Sequence, residues 1–206
     1  MEEDESAGAE KPLENGPIDN PAKDRVIVLI GLMGAGKSTV GRRLAARLGV
    51  NFLDTDSEIE TAAGMSISEI FEKHGEPAFR RGEHKVIERL LQDMSKGTPS
   101  GGVLATGGGA FMNEGTRADI ARYGVSVWLR ADVEMLLRRV ARRNNRPLLK
   151  QGDMRETMYR LRDERYPVYA LADIVVDSVD APHEEVVDMI IEKLKNHFSH
   201  SGGGAS

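Results

Sequence analysis

Arg25-Val-Ile-Val-Leu-Ile30 runs directly into Gly31-Leu-Met-Gly34-Ala-Gly36-Lys37-Ser38-Thr39, and this junction decides the fold. The apolar run has strand length and no polar alternation, which suits a strand buried on both faces. The segment behind it satisfies G-x-x-x-x-G-K-[ST] between a buried strand and a helix start, where that pattern has its mechanism. Glycines let the backbone turn so that successive N–H groups face one anion, and the helix N-terminus adds its positive partial charge. Lys37 can reach terminal phosphates as a point charge, and the Ser38 hydroxyl offers Mg²⁺ the hard oxygen it takes. The expected phosphate ligands are therefore Gly34, Ala35, Gly36, Lys37, Ser38 and Thr39. An ordinary glycine-rich turn with an incidental lysine is the alternative, and the strand–loop–helix context argues against it.

Outward from this point, short apolar runs alternate with helical patterns. A helix over Lys37 to Leu48 places Val40, Leu44 and Leu48 on one face, and Gly49 stops it. Val50 to Leu53, Val103 to Thr106, Val125 to Leu129 and Asp173 to Val176 read as further strands. Ser66-x-x-Glu69 is a capping box opening a short helix towards His74, and a second helix runs from about Pro77 to Met94. Helices are also predicted over Thr116 to Tyr123, Asp132 to Arg142, Met154 to Arg165 and Pro182 to Phe198. Strand and helix in alternation mean βαβ units, hence a mainly parallel sheet covered on both faces in one α/β domain over residues 25–198.

The chain has 206 residues, 40% apolar and 30% charged, enough for a sizeable core. No run approaches the roughly 20 apolar residues that span a bilayer, and the acidic Met-Glu-Glu-Asp-Glu start has no secretory character. With zero cysteines, disulfides, thiolate metal sites and thiol nucleophiles are excluded. Eight acids against Lys11 and Lys23 put a net −6 on residues 1–24 of a chain whose total is −5. That leader is predicted to be disordered, and residues 199–206 to form a flexible tail. The remaining 182 residues sum to about +1, which gives no support to nucleic-acid binding. The expectation is a soluble, cytoplasmic protein with no membrane partner.

A motion-coupled or switch NTPase and a small-molecule kinase would both carry the Gly31 to Thr39 loop, and the later segments discriminate between them. Leu53-Asp54-Thr55-Asp56 closes the second strand, where two carboxylates two positions apart in an extended chain share a side. One could serve the Mg²⁺ shell and the other an acceptor hydroxyl; equally, Asp56 and Ser57 could cap the helical stretch that follows. Gly107-Gly108-Gly109 after the third strand makes a backbone that a ligand can approach, or simply a flexible loop. Arg138, Arg139, Arg142, Arg143 and Arg146 continue past a helix into a segment with Pro147 and Gly152, read as a flap over about 143–152. Such a run is otherwise a solvated helix face. Arg165 in Arg165-Tyr-Pro-Val-Tyr169 is a further candidate anion ligand. The five histidines lack metal-ligand spacing.

In order along the chain, GLMGAGKST, LDTD, FRRGE, GGGA, RPLL and RYPVY resemble the shikimate kinase family over roughly Val26 to Leu194. The resemblance implies a nucleoside-monophosphate-kinase-like fold with a central five-stranded parallel sheet, an acceptor-binding region over about 56–84 and a mobile lid. It implies ATP and Mg²⁺ as cofactors, shikimate as acceptor, 3-phosphoshikimate and ADP as products in the route to chorismate and aromatic amino acids, and a monomer. By motif, Lys37, Asp56 and Arg146 take the catalytic positions. Asp56, Arg80, Gly108 and Arg165 take the substrate positions, and Ser38 and Asp54 those of the metal. Arg139, Arg146 and Pro182 join the phosphate loop around the nucleotide. Gluconate and nucleoside-monophosphate kinases share the loop and an arginine lid, but are not expected to combine DTD, FRR and GGG. A nucleotide-dependent regulatory protein that has lost catalysis would have no need of Asp56, Arg80 and Arg165 together.

Overall fold

A computed structural model describes residues 18–141, 153–178 and 182–201. Along them run β1 (Val26–Ile30), α1 (Lys37–Leu48), β2 (Phe52–Asp54), α2 (Thr55–Ala63), α3 (Ile67–Lys96), β3 (Gly102–Ala105), a 3₁₀ turn (Ala110–Met112), α4 (Glu114–Tyr123), β4 (Gly124–Arg130), α5 (Val133–Ala141), α6 (Met154–Tyr169), β5 (Ile174–Asp177) and α7 (His183–Ser201). The five strands form one parallel sheet in the order β2-β3-β1-β4-β5.

The central position of β1 explains its composition. All five of its residues, Val26 to Ile30, are buried, with β3 on one side, β4 on the other and helices on both faces. Burying aliphatic side chains of this size stabilises the fold by roughly 1.5–3 kcal/mol each. The order also sets the position of the site. From β1 the chain crosses to β2, returns to β3, and then passes to the far side of β1 for β4. The loops after β1, β2 and β3 therefore open at one edge of the sheet, at the reversal of strand order where ligands of open α/β sheets bind.

Local signals place the ends of the elements. Gly49 closes α1 in the left-handed region at φ 65°, where its N–H meets the Ala45 and Ala46 carbonyls. Ser66 and Glu69 form the full capping box at the start of α3. The two helices expected over 66–94 are continuous except at Gly75, whose φ of 75° and ψ of 168° break the helical path two residues before Pro77.

Beyond the break, Phe79, Glu83, Ile87, Leu90, Leu91 and Met94 line the buried side of α3. Beside the main core, Ile59, Ile70 and Phe79 make a second, smaller apolar cluster under α2 and the first part of α3. Part of the expected leader is in fact docked. The Ile18 N–H donates to the Arg47 carbonyl at 3.0 Å, and Ala22 is buried in the core. Asn20 accepts from the Ala22 N–H and ties the turn together, so the packed body starts ahead of residue 25. Residues 1–17 of the leader, 143–152 of the flap and 202–206 of the tail lie outside the described residues. Among those described, no helix is long and apolar enough to cross a membrane.

Candidate active site

The loop between β1 and α1 makes a cradle because its glycines take conformations a side chain would disfavour. Gly34 and Gly36 sit at φ 83° and 89°, and a Cβ on Gly34 would come within 2.9 Å of the Val140 side chain on α5. Gly36 caps α1 with no side-chain cap hydrogen bond, and such a helix N-terminus is a place where an anion can bind. The Lys37 ammonium donates to the Gly31 and Leu32 carbonyls at 2.8 and 3.0 Å, which holds it over the loop.

Asp54 joins this cradle to β2. Its Oδ2 accepts from the Ser38 hydroxyl at 2.5 Å and its Oδ1 from the Asp56 N–H at 3.1 Å. The second bond makes Asp54 the N-cap of α2, so the strand ends there and Asp56 lies in the first helical turn. Neither of the two arrangements the sequence leaves open, an extended pair of carboxylates or a cap by Asp56 and Ser57, is formed; the cap is Asp54. Both acids nevertheless border one cleft, together with Gly34, Gly36, Lys37, Ser38, Thr106, Gly107 and Gly108.

The triple glycine is held on both sides. The Gly107 N–H donates to the fully buried Thr55 hydroxyl at 3.1 Å, and the Thr106 hydroxyl donates to the Leu29 carbonyl of β1 at 3.0 Å. Two guanidinium groups close on the glycines. A Cβ on Gly109 would lie 2.5 Å from Arg80 Nη1, and one on Gly108 would lie 3.2 Å from Arg165 Nη1. Side chains here would displace both arginines. Arg80 comes from α3 and Arg165 from α6, so two separate helices bring guanidinium groups to neighbouring glycines.

Sequence reasoning left two members of this cluster without a role. Glu83, 3% exposed, accepts from Arg80 Nη1 at 2.8 Å through one oxygen, and its other oxygen has no hydrogen-bond partner among the described residues. Burial pushes the Glu83 carboxyl above its usual range. Arg80 pulls it down, Asp56 adds to the rise and Arg165 opposes it. Burial would lower the affinity of Arg80 for its proton, but Glu83 and Glu76 outweigh that and raise it. The second is Tyr169, wholly buried, whose hydroxyl donates to the Gly108 carbonyl. Burial pushes its phenol up to about 12. A signal existed for both: Glu83 lies three residues after Arg80 and Tyr169 four after Arg165, spacings that share a helical face.

On the other flank of the phosphate loop, Arg139 Nη1 donates to the Ser178 hydroxyl at 3.1 Å just past β5. Pro182 is exposed at the entry to α7, and the His183 ring lies 3.9 Å from where a Gly36 Cβ would be. Arg146 lies outside the described residues.

A parallel sheet of this order, with a glycine phosphate loop after its central strand and arginines packed on the glycines after β3, defines a P-loop phosphotransferase of the nucleoside-monophosphate-kinase-like architecture. A family model described as shikimate kinase matches residues 33–195, and the chain belongs to that family. It is 54% identical over 193 residues to the shikimate kinase of Rhodopseudomonas palustris, covering 94% of this chain and 92% of that one. Among solved structures, the shikimate kinase of Acinetobacter baumannii in complex with shikimate superposes with a TM-score of 0.76 at 37% identity, over 84% of this chain and 93% of that one. A gluconokinase from Sinorhizobium meliloti shares the fold, with a TM-score of 0.60 at 17% identity over 87% and 97% of the two chains.

Proposed function

We propose that this chain transfers the γ-phosphoryl group of ATP to the 3-hydroxyl of shikimate, giving ADP and 3-phosphoshikimate. One observation carries the reading: Lys37, Ser38, Asp54 and Asp56 line one cleft with Gly107 and Gly108, and two guanidinium groups pack on the same glycine run, Arg165 at Gly108 and Arg80 at Gly109. Shikimate is a small carboxylate bearing three hydroxyls. Its recognition calls for charge-assisted hydrogen bonds to the carboxylate and acceptors for the hydroxyls, with little apolar area. Arg80 and Arg165 supply the first, Asp56 the second, and Gly108 a backbone contact. The family, and the shikimate bound by the Acinetobacter relative, support this assignment.

Phosphoryl transfer asks for positioning and charge stabilisation rather than a protein nucleophile. The loop amides from Gly34 to Thr39, with the Lys37 ammonium, hold the phosphate oxygens. Asp56 orients the acceptor hydroxyl and takes its proton as the new O–P bond forms. The bond from the γ-phosphorus to the bridging oxygen breaks, and ADP leaves with that electron pair. Ser38 and Asp54 present hard oxygens 2.5 Å apart, a donor set that fits Mg²⁺, and would hold it there. Bound there, the ion would offset phosphate charge. Arg139 and Pro182 flank the nucleotide, and family resemblance adds Arg146 as a phosphate ligand. Residues 56–84 would form the acceptor side. The body, neutral outside the acidic leader, fits a monomeric cytoplasmic enzyme acting on small molecules without nucleic-acid or membrane partners.

Coupled ADP release with purified protein tests the proposal. Turnover should require shikimate, and gluconate, AMP and CMP should not replace it. Turnover with gluconate and none with shikimate would reject the acceptor assignment.

A further inference from the structure

Within this acceptor site, and resting on that reading of it, we infer that Tyr169 is a positioning residue: its hydroxyl locks the Gly108–Gly109 peptide so that the Gly109 N–H faces the bound acceptor. The Gly107–Gly109 run has more backbone freedom than any other residues would leave there, so a site built on it needs an external restraint. Four restraints are visible. Thr55 holds the Gly107 N–H, the Ala110 N–H returns to the Gly107 carbonyl at 3.2 Å, the Met112 N–H returns to the Gly109 carbonyl at 3.1 Å, and Tyr169 holds the Gly108 carbonyl. The last acts directly on the peptide between Gly108 and Gly109. Because that unit is planar and trans, fixing its C=O fixes its N–H in the opposite direction. Among the described residues, the Gly109 N–H has no hydrogen-bond partner, and the Arg80 guanidinium lies against the same glycine. A carboxylate held by Arg80 would find this amide beside it.

The phenol can act as such a restraint because the ring itself cannot turn away. Phe111, Trp128 and Tyr166 pack around it with ring centroids at 6.5, 5.8 and 6.2 Å. Tyr169 also lies one turn after Arg165 on α6, so a single helical face aims both a guanidinium and a hydroxyl at Gly108. α6 thereby sets the position of the acceptor's charge partner and of the backbone donor together.

The test is Tyr169→Phe in the full chain, which keeps the ring and removes the hydroxyl. We expect the KM for shikimate to rise about tenfold, as for one lost hydrogen bond to a bound ion, while the KM for ATP stays within about twofold. A purely structural role would move both together, so equal changes, or an unchanged shikimate KM, overturn the inference. A second measurement needs no acceptor. In ¹⁵N-glycine-labelled protein, the Gly109 amide resonance should shift and its hydrogen exchange should quicken in the variant. An unmoved Gly109 resonance overturns the inference even where the kinetics change. Absence of shikimate turnover by the parent enzyme would instead reject the acceptor assignment, and the amide measurement would still decide the role of Tyr169.

Discussion

Asp56 and Glu83, 27 positions apart, each place a carboxylate oxygen 2.9 Å from the point where a side chain on Gly107 would begin. Gly107 is thus the spacer between two acids from different helices, and its lack of a side chain keeps both in place. Gly107→Ala should leave the fold intact and lower kcat/KM for shikimate by about tenfold or more, because small displacements of positioning groups are costly in transfer reactions. Steady-state kinetics with circular dichroism on the same sample would measure it; an alanine variant with parental kcat/KM contradicts the spacer role.

Arg80 binds Glu83 and Glu76 and lies against Gly109. Arg80→Ala should weaken shikimate binding by about 10–100-fold, the usual effect of removing a charged hydrogen-bond partner, with ATP affinity near the parental value. Calorimetry with each ligand separates the two. Equal losses would show that Arg80 serves the nucleotide or the fold.

Asp56→Asn keeps the shape and removes the proposed base. A loss of about 10²–10⁴ in kcat with an unchanged melting temperature is expected. Turnover near the parental rate would take Asp56 out of proton transfer.

Glu83 carries the pH prediction. Burial raises its pKa above the ordinary 4.5, so the folded protein favours the protonated acid. The stability it contributes is complete below that ordinary value and is lost as the pH rises through the higher folded one. Glutamine has no such proton. Glu83→Gln should therefore gain melting temperature relative to the parent between pH 4 and pH 7, while binding shikimate more weakly through a less firmly held Arg80. The same Tm difference at both pH values would count against it.

Asp54 both partners Ser38 and caps α2. Asp54→Ala should raise the Mg²⁺ concentration for half-maximal turnover by about tenfold, and loss of the cap should cost about 0.5–2 kcal/mol of stability. Magnesium titration with ADP read directly by chromatography, alongside urea unfolding, gives both quantities. An unaltered magnesium curve would assign Asp54 to the cap alone.

Much of this architecture could be read before any coordinates. The β1–loop–α1 junction, the Gly49 stop and the Ser66–Glu69 box depend on residues within a few positions of one another, and each came out as its local chemistry required. The second acid of the DTD segment did not. Whether Asp56 continues the strand or enters α2 depends on Asp54 turning back to cap its amide. That choice is too finely balanced for composition to settle.

The linear order of residues determined the α/β class, the phosphate loop and the identity of the charged groups, because those follow from short-range periodicity, glycine and capping. Only the packed sheet decided which of them meet. The insertion of β3 between β2 and β1 brings Gly107 to Thr55 and Asp56, and the docking of α3 and α6 closes Arg80 and Arg165 on neighbouring glycines. Glu83 and Tyr169 stand beside arginines in the sequence, yet their environment comes from distant segments that exclude water. Burial is a collective property of the fold, and no local stretch of chain encodes it.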